Sequence, residues 1–424
     1  MLRHRFLLSF ARFAPERSFL HALFDMIESN NRKELSMYPF LSCTGALLLA
    51  ALILSGCARF PLPDLRQCAP PSHTQTVEQL HLAPQNQQPL YAAWIPYFAC
   101  EPLFASGDAA AVKSAVTDLL RSQKENGITT VFVHVCAFGE AGYPSAFYPR
   151  NPAVNGYDTL QILSDVCAAL GLELHAWINP LRLQTTAAMQ KHHDDALLSH
   201  WFQDEQLRKE NLVLWDGRWY LNPASDAVKE FLAGAVQEIM TQYHPAGIHI
   251  DDYFYPTTDP AFDAAAFEAS GASDLAAWRR EHITNLMKTL RQAVHQADPD
   301  GIFSVSPQGD LQKNYDTLYA DVAAWCADGT CCDLVIPQLY FGYEHETAPF
   351  SALLDRWKAL PLAPDVRLAA GLAAYKAGNV DAQAGSGAQE WVTHPDVLQR
   401  QINDVLSDPA FSGVVLYNSF VRQP

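Results

Sequence analysis

Apolar segments alternate with amphipathic segments along most of the 424-residue chain, beginning near residue 90. Short runs rich in β-branched and aromatic residues predict buried strands, and longer runs with apolar residues three or four positions apart predict helices. The predicted strands cover 91–98, 129–137, 172–179, 247–255, 302–307, 334–341, 367–375 and 413–419. The predicted helices cover 109–125, 157–170, 224–243, 274–296, 315–327, 350–360 and 395–406.

This alternation predicts an α/β fold, a (β/α)8 TIM barrel, because parallel strands need helical crossovers rather than tight turns. A doubly wound open sheet usually has fewer strands and a glycine-rich phosphate loop after the first, which residues 97–103 do not supply. Only residues 421–424 follow the last predicted strand, so the pattern lacks a regular eighth helix.

The N-terminal region has a different pattern. Arg32 and Lys33 precede an uncharged apolar run over 46–54, which is too short to span a bilayer as a mature helix and leads into Leu54-Ser55-Gly56-Cys57. This resembles a bacterial lipoprotein signal with Cys57 as the lipidated first residue of the mature protein. The alternative is a buried helix end with a chance cysteine. Met26 or Met37 is an alternative start of translation.

We therefore predict a signal peptide over 1–57, a Pro- and Gln-rich linker over 58–89 and a barrel domain over 90–424. The protein is expected to be extracytoplasmic and lipid-anchored to the membrane at Cys57. Its formal net charge of −17 disfavours nucleic acid and anionic lipid surfaces as partners.

The cysteines give no sign of a metal or cofactor, since no two of them have the C-x-x-C spacing of zinc and redox motifs. Cys326 lies close enough in sequence to Cys331 or Cys332 to close a small disulfide loop in an oxidising compartment. We expect no cofactor.

The strongest chemical signal is the sequence GIHIDDYFYP over 247–256, an apolar strand that ends at two adjacent carboxylates. In a parallel barrel the carboxyl ends of the strands form the open mouth where chemistry takes place. Side chains alternate along a strand, so Asp251 shares a face with His249, and only one of Asp251 and Asp252 is expected to face a given pocket. The structural alternative is that both acids cap the following turn.

Polar and aromatic residues also follow the other predicted strands, and this mixture suits a sugar, which offers hydroxyls to acids and amides and C–H faces to rings. The candidate catalytic acids are Asp251, Asp252, Glu140, Asp310 and Glu344. The candidate substrate-binding residues are His175, Trp177, Asn179, Arg182, His249, Tyr253, Gln338, Tyr340, Tyr343 and Lys376. A ring or histidine taken alone is more often a core residue than a ligand-binding one, so the prediction depends on their convergence.

Glycoside hydrolysis needs a proton donor and a second carboxylate on either side of the scissile bond, about 5–9.5 Å apart depending on the mechanism. Asp251 is the first choice for one role, while Asp252, Glu140, Asp310 and Glu344 compete for the other. The sequence leaves open whether the sugar configuration is retained or inverted.

Five ordered motifs, HAWINPLR, GIHIDDYFYP, SVSPQGD, PQLYFGY and GLAAYKAG, resemble the glycosyl hydrolase-like family 10 barrel proteins of the bacterial envelope. The similarity runs from about Leu90 to Phe420. It implies a TIM-barrel glycosidase acting on peptidoglycan or a related polysaccharide, with the paired aspartates in its site. Family members often read VRPFGDA after the second strand; this chain keeps the acid as Glu140 but has Cys136 in place of the arginine.

The predicted function is thus a metal-independent glycoside hydrolase of a cell-envelope glycan. The alternative is a non-catalytic carbohydrate-binding envelope lipoprotein. A metal-dependent amidohydrolase needs a His-x-His pair, which does not occur in the sequence. A solute-capture protein predicts two lobes and a hinge, which evenly spaced strand and helix units do not suggest.

Overall fold

A computed structural model describes residues 89–105, 108–154 and 156–417. The predicted signal peptide, Cys57 and the predicted linker up to residue 88 lie outside the described residues, as do the residues after 417, where an eighth helix was not expected.

The described residues form strands and helices that alternate along the chain. The strands are β1 (Leu90–Ile95), β2 (Thr130–Cys136), β3 (Glu173–Ile178), β4 (Arg182–Thr185), β5 (Leu212–Trp215), β6 (Arg218–Leu221), β7 (Gly247–Ile250), β8 (Ile302–Val305), β9 (Leu334–Val335), β10 (Arg367–Leu368), β11 (Ala370–Ala373) and β12 (Gly413–Tyr417). The helices are α1 (Tyr97–Phe104), α2 (Ala109–Glu125), α3 (Thr159–Leu170), α4 (Thr186–Met189), α5 (Leu197–Gln203), α6 (Glu205–Asn211), α7 (Asp226–Tyr243), α8 (Ala264–Ser270), α9 (Leu275–Ala297), α10 (Leu311–Thr317), α11 (Val322–Asp328), α12 (Phe350–Lys358), α13 (Glu390–Thr393) and α14 (Val397–Ser407).

Nine strand segments form one parallel sheet in the order β10-β9-β8-β7-β3-β2-β1-β12-β11. Only Ala369 separates β10 from β11; β10 pairs with β9, and β11 pairs with β12. The two segments therefore occupy a single position, the seventh, and they close the sheet into a barrel of eight strands. The predicted TIM barrel is confirmed.

The helices begin and end where short-range signals place them. Asp108 caps α2 by accepting hydrogen bonds from the Ala110 and Ala111 amides at 2.6 and 3.3 Å. Gly171 ends α3 in the left-handed conformation at φ 64°. Such local signals fix the lengths of the crossovers and hence the positions of the strand ends.

Apolar residues fill two separate layers. The larger layer lies between the sheet and the helices, and the smaller one fills the barrel interior. The interior cluster consists of Ala92, Trp94, Phe132, Trp177, Leu334, Ile336, Ala369 and Val415. Because the interior is filled with side chains, a ligand has access only at the ends of the barrel.

A three-stranded antiparallel sheet, in the order β4-β6-β5, is inserted between β3 and β7 and was not predicted. Its strands have only four residues each, too few to show a clear periodicity. One local signal was present: Asp216-Gly217 joins β5 to β6 with both residues at positive φ, as a type I′ hairpin turn requires.

Two further observations bear on the predictions. Cys326, Cys331 and Cys332 are buried and carry free thiols, so the small disulfide loop is not formed. Among the helices of the described residues, none has the length and hydrophobicity needed to cross a membrane.

Candidate active site

The paired aspartates lie directly beyond β7, which ends at Ile250. The chain turns at once, and the Phe254 amide donates a hydrogen bond to the Asp252 carbonyl at 2.9 Å. Strand alternation therefore stops before the acids, so it does not decide which of them faces a given pocket. Both carboxylates raise the pKa of Tyr253 and of Tyr340, so the two acids lie near both rings, and we call the region around these four side chains the hollow.

Asp251 is 4% exposed and has no salt bridge among the described residues. Its carboxylate accepts a long hydrogen bond, 3.4 Å, from the Tyr253 amide, and the Trp177 indole acts on it as a second donor. Burial and the charge of Asp252 raise the pKa of Asp251 well above its ordinary value, against the opposing effects of Tyr253, Trp177 and Arg182. Asp251 is therefore a carboxylic acid that holds its proton more strongly than usual.

Asp252 has a more polar environment. It is partly exposed, and the Gln338 side-chain amide donates to its carboxylate at 3.1 Å while also donating to the Ser306 carbonyl at 2.9 Å. Burial raises the pKa of Asp252, and the amides of Gln308 and Gln338 lower it. The two neighbouring acids thus have different surroundings.

One wall of the hollow is aromatic. Tyr340 stacks against Tyr417 with ring centroids 5.6 Å apart and planes at 15°. Trp94 meets both rings edge-on at 6.5 and 6.2 Å, and Tyr375 packs edge-on against Tyr340 at 6.2 Å. Tyr340 was among the predicted residues. Trp94 was not, because it lies inside a strand. Tyr375 and Tyr417 were not named either, although they stand at strand ends, where the sequence placed the mouth.

A second wall of rings comes from β2 and β3. The rings of His134 and Trp177 stack at 4.0 Å and 7°, and Tyr97 packs on His134 at 5.7 Å. Within the described residues, neither His134 ring nitrogen nor the Trp177 indole nitrogen makes a hydrogen bond of ordinary geometry, although all are buried. The Trp177 indole nevertheless acts as a hydrogen-bond donor toward Asp251, whose pKa it lowers, and the Cys136 backbone acts on His134, whose pKa it raises. His134 and Tyr97 were missed because the sequence shows them only as strand and loop residues.

Arg182 links this wall to the aspartates. Its guanidinium lies 4.6 Å from the Tyr253 ring centre and 5.1 Å from that of Phe138. Asn179, which is buried, accepts a 3.4 Å hydrogen bond from the Arg182 amide. Tyr253 remains 48% exposed, so its ring can still meet a ligand.

The two predicted histidines lie beneath the mouth. His249 is fully buried, and its Nε2 accepts from the Trp94 indole at 2.9 Å, so the neutral ring carries its proton on Nδ1 and donates to Ser304 at 2.8 Å. His175 packs on Phe132 at 4.7 Å, and burial lowers its pKa to about 3. Both histidines are neutral parts of the barrel interior.

Four predicted residues lie away from the hollow. Asp310 caps α10 by accepting from the Gln312 and Lys313 amides. The Glu344 side chain is 61% exposed and faces His394 at 4.0 Å. Tyr343 donates to Asp404 at 2.7 Å. Lys376 forms a 2.6 Å ion pair with Asp381 and donates to the Tyr340 carbonyl, so it supports the aromatic wall from outside.

Glu140 belongs to a neighbouring pocket. It is buried, 2.8 Å from His192, and accepts a 3.0 Å hydrogen bond from Gln184. The pocket, about 30 Å³ in volume, adjoins the hollow through Tyr97 and His134. The structure describes no group of three His, Cys, Asp or Glu side chains arranged to bind a metal ion.

The profile of the family described as glycosyl hydrolase-like 10 matches residues 89–389. The chain belongs to this family. The family predicted from the sequence motifs is confirmed, and the chain is accordingly a glycosidase-like protein.

Among its relatives, glycosyl hydrolase YngK of Bacillus subtilis (strain 168) is 29% identical over 330 residues, 71% of this chain. The alignment spans 63% of YngK. Glycosyl hydrolase DigH of Escherichia coli (strain K12) is 25% identical over 414 residues, covering 89% of this chain and 93% of DigH. The α-L-fucosidase isoenzyme 2 of Paenibacillus thiaminolyticus superposes with a TM-score of 0.51 at 14% identity, over 78% of this chain and 46% of that one, which shows the shared fold alone.

Proposed function

We propose that the protein hydrolyses a glycosidic bond in a cell-envelope glycan, peptidoglycan or a related polysaccharide, with Asp251 as proton donor and Asp252 as the second carboxylate. The observation that carries this proposal is the buried Asp251, which forms no salt bridge among the described residues and lies beside a second acid and the Tyr253 and Tyr340 rings.

The two roles follow from the two environments. A general acid must hold a proton near neutral pH, and burial raises the pKa of Asp251. The second group must be ionised. Burial raises the pKa of Asp252 as well, but its amide hydrogen bonds oppose that shift, and Asp252 is the more exposed of the two acids. Neighbouring carboxylates with different surroundings are the arrangement that glycoside hydrolysis uses.

The walls of the hollow support a sugar as the ligand. The Tyr340 and Tyr417 rings and the exposed Tyr253 ring offer faces for C–H groups, and the carboxyl groups of Asp251 and Asp252 offer polar partners to hydroxyls. The combination of flat apolar surfaces and a few directed polar atoms is typical of carbohydrate sites.

The proposed site of action is the cell envelope. The lipoprotein-like sequence ending at Cys57 supports an extracytoplasmic protein anchored to the membrane by lipid at that residue. An envelope glycan is the polysaccharide within reach of such an anchor.

The test is an assay for new reducing ends with the purified protein on a panel of peptidoglycan and other polysaccharides, with and without a metal chelator. We expect hydrolysis that the chelator does not abolish. Asp251→Asn should lower the rate by about 10²–10⁴-fold, since proton transfer contributes that much. Asp252→Asn should lower it similarly. Asp118→Asn, an exposed acid on α2, is the control and should leave the rate unchanged.

A full panel without new reducing ends would contradict the proposal. Glycan binding without turnover, unaffected by Asp251→Asn, would instead favour a carbohydrate-binding protein that uses the same hollow without catalysis.

A further inference from the structure

Two arginines converge beside the candidate active site without a carboxylate between them. Arg182 lies on β4 and Arg218 on β6, and their guanidiniums lie 5.1 and 5.0 Å from the centre of the same Phe138 ring. Neither makes a salt bridge to any acid among the described residues. Their close approach is a property of the inserted sheet, whose strands β4 and β6 are paired.

The surroundings leave both arginines positively charged. Arg218 donates to the Leu183 carbonyl at 2.7 Å, a neutral acceptor. Burial and the charge of Arg182 lower the pKa of Arg218, while the phenols of Tyr220, Tyr97 and Tyr253 act in the opposite direction. Arg182 also lowers the pKa of the buried Asp251, but the two side chains form no salt bridge.

Two like charges that are partly buried together raise the free energy of the empty site, and a bound anion relieves this cost. A guanidinium presents its donors in a planar fork that matches a carboxylate. Phe138 and Tyr253 hold the Arg182 plane by cation–π contacts, so little side-chain freedom is lost when an anion binds.

We propose that Arg182 and Arg218 form a subsite for a carboxylate carried by the sugar next to the scissile bond, so that the protein selects acidic glycans over neutral ones. The inference rests on the proposed function in one respect, that the ligand is a glycan. The acid can be a uronic acid carboxyl or the lactyl group of a muramic acid, and both sources belong in the test.

The experiment measures binding, so that it does not depend on turnover. Its probes are peptide-free glycan strands of peptidoglycan and polygalacturonate oligosaccharides, each with its carboxyls free or converted to neutral amides. The protein carries Asp251→Asn to prevent hydrolysis. We expect at least one acidic probe to bind about tenfold more tightly than its amidated form, with an affinity that falls as salt is added.

Arg218→Met should reduce that preference to less than threefold by weakening the acidic probe alone, and Arg218→Lys should retain part of it. Arg280→Met is the matched control, because Arg280 lies at 4.1 Å over the Tyr315 ring but outside the barrel mouth. It should leave the preference unchanged.

Equal affinity for the acidic and amidated forms of both probes would overturn the inference, as would an equal loss of both forms in Arg218→Met. Stronger competition by a phosphodiester-containing glycan would show that the subsite takes phosphate instead. If Arg218→Met does not fold, the salt dependence and the Arg218→Lys variant decide the question. Absence of hydrolysis by the unmodified protein would contradict the proposed function and leave this binding contrast intact.

Discussion

Two buried aspartates, Asp251 and Asp263, follow strand β7, and their surroundings are opposite: Asp263 is paired with a cation and Asp251 is not. Asp263 is completely buried with Arg279, whose guanidinium donates to both of its oxygens at 2.5–3.2 Å. Arg279 also donates to the Thr257 and Asp259 carbonyls and lies 4.9 Å from the rings of Tyr255 and Tyr319. Asp251 is as buried as Asp263, both residues being 4% exposed overall, but it has no cation partner among the described residues and accepts a long hydrogen bond from the Tyr253 amide.

The difference separates a structural acid from a functional one. A buried charge is tolerated when it is paired and fully hydrogen-bonded, as at Asp263. At Asp251 the pairing is missing and the pKa is raised instead, which is the state in which a carboxyl group can deliver a proton. Burial alone therefore does not identify the site; the missing partner does.

Breaking the structural pair should have the largest effect on stability. Asp263→Asn leaves Arg279 buried without a counter-ion and is expected to lower the free energy of unfolding by about 3–5 kcal/mol. Urea unfolding followed by tryptophan fluorescence measures the loss. Asp165→Asn, which removes an exposed ion pair with Lys113, should cost only about 0–1 kcal/mol. Similar losses in the two variants would contradict the contrast.

Replacing the functional acid, Asp251, should instead increase the free energy of unfolding, and the increase should depend on pH. A raised pKa in the folded state means that the folded protein binds the Asp251 proton more tightly than the unfolded chain, so this contribution to stability is lost as the pH rises. Asp251→Asn should therefore raise the free energy of unfolding at pH 8 by about 0.5–2 kcal/mol, and this gain should vanish near pH 4. A loss of stability at pH 8 would show that the charged form is favoured.

Asp310 is intermediate between these two acids. It has no buried cation partner, but its carboxylate accepts hydrogen bonds from backbone amides at the start of α10. Asp310→Ala should cost about 1 kcal/mol of stability through the lost cap and should leave the specific activity unchanged. Thermal unfolding and the reducing-end assay test both parts. A folded variant without activity would restore Asp310 as a catalytic candidate.

Much of the architecture was predictable because it depends on local patterns. The strand and helix periodicities fixed the barrel, and the polar residues after Ile250 marked its mouth. The inserted sheet escaped prediction because its strands of four residues carry little periodic signal. The break at Ala369 between β10 and β11 was not predicted either, because the strand continues on both sides of it.

The chemistry of the candidate site depends on partners far apart in the sequence. Gln338, which binds Asp252, lies 86 positions away along the chain, and Trp94, which binds His249, lies 155 positions away. The sequence made Asp251 the first choice for one role and left Asp252, Glu140, Asp310 and Glu344 in competition for the other. Only their placement separates a cap at Asp310 and an exposed Glu344 from the pair at the mouth.

The amino-acid sequence by itself determined the barrel and the location of its acids at a strand end, because hydrophobic periodicity and turn signals act over a few residues. Only the tertiary structure decided that Asp263 is neutralised, that Asp251 is not, and that Arg182 and Arg218 meet on one ring. The cost of a charge depends on burial and on the partners that folding brings from distant parts of the chain.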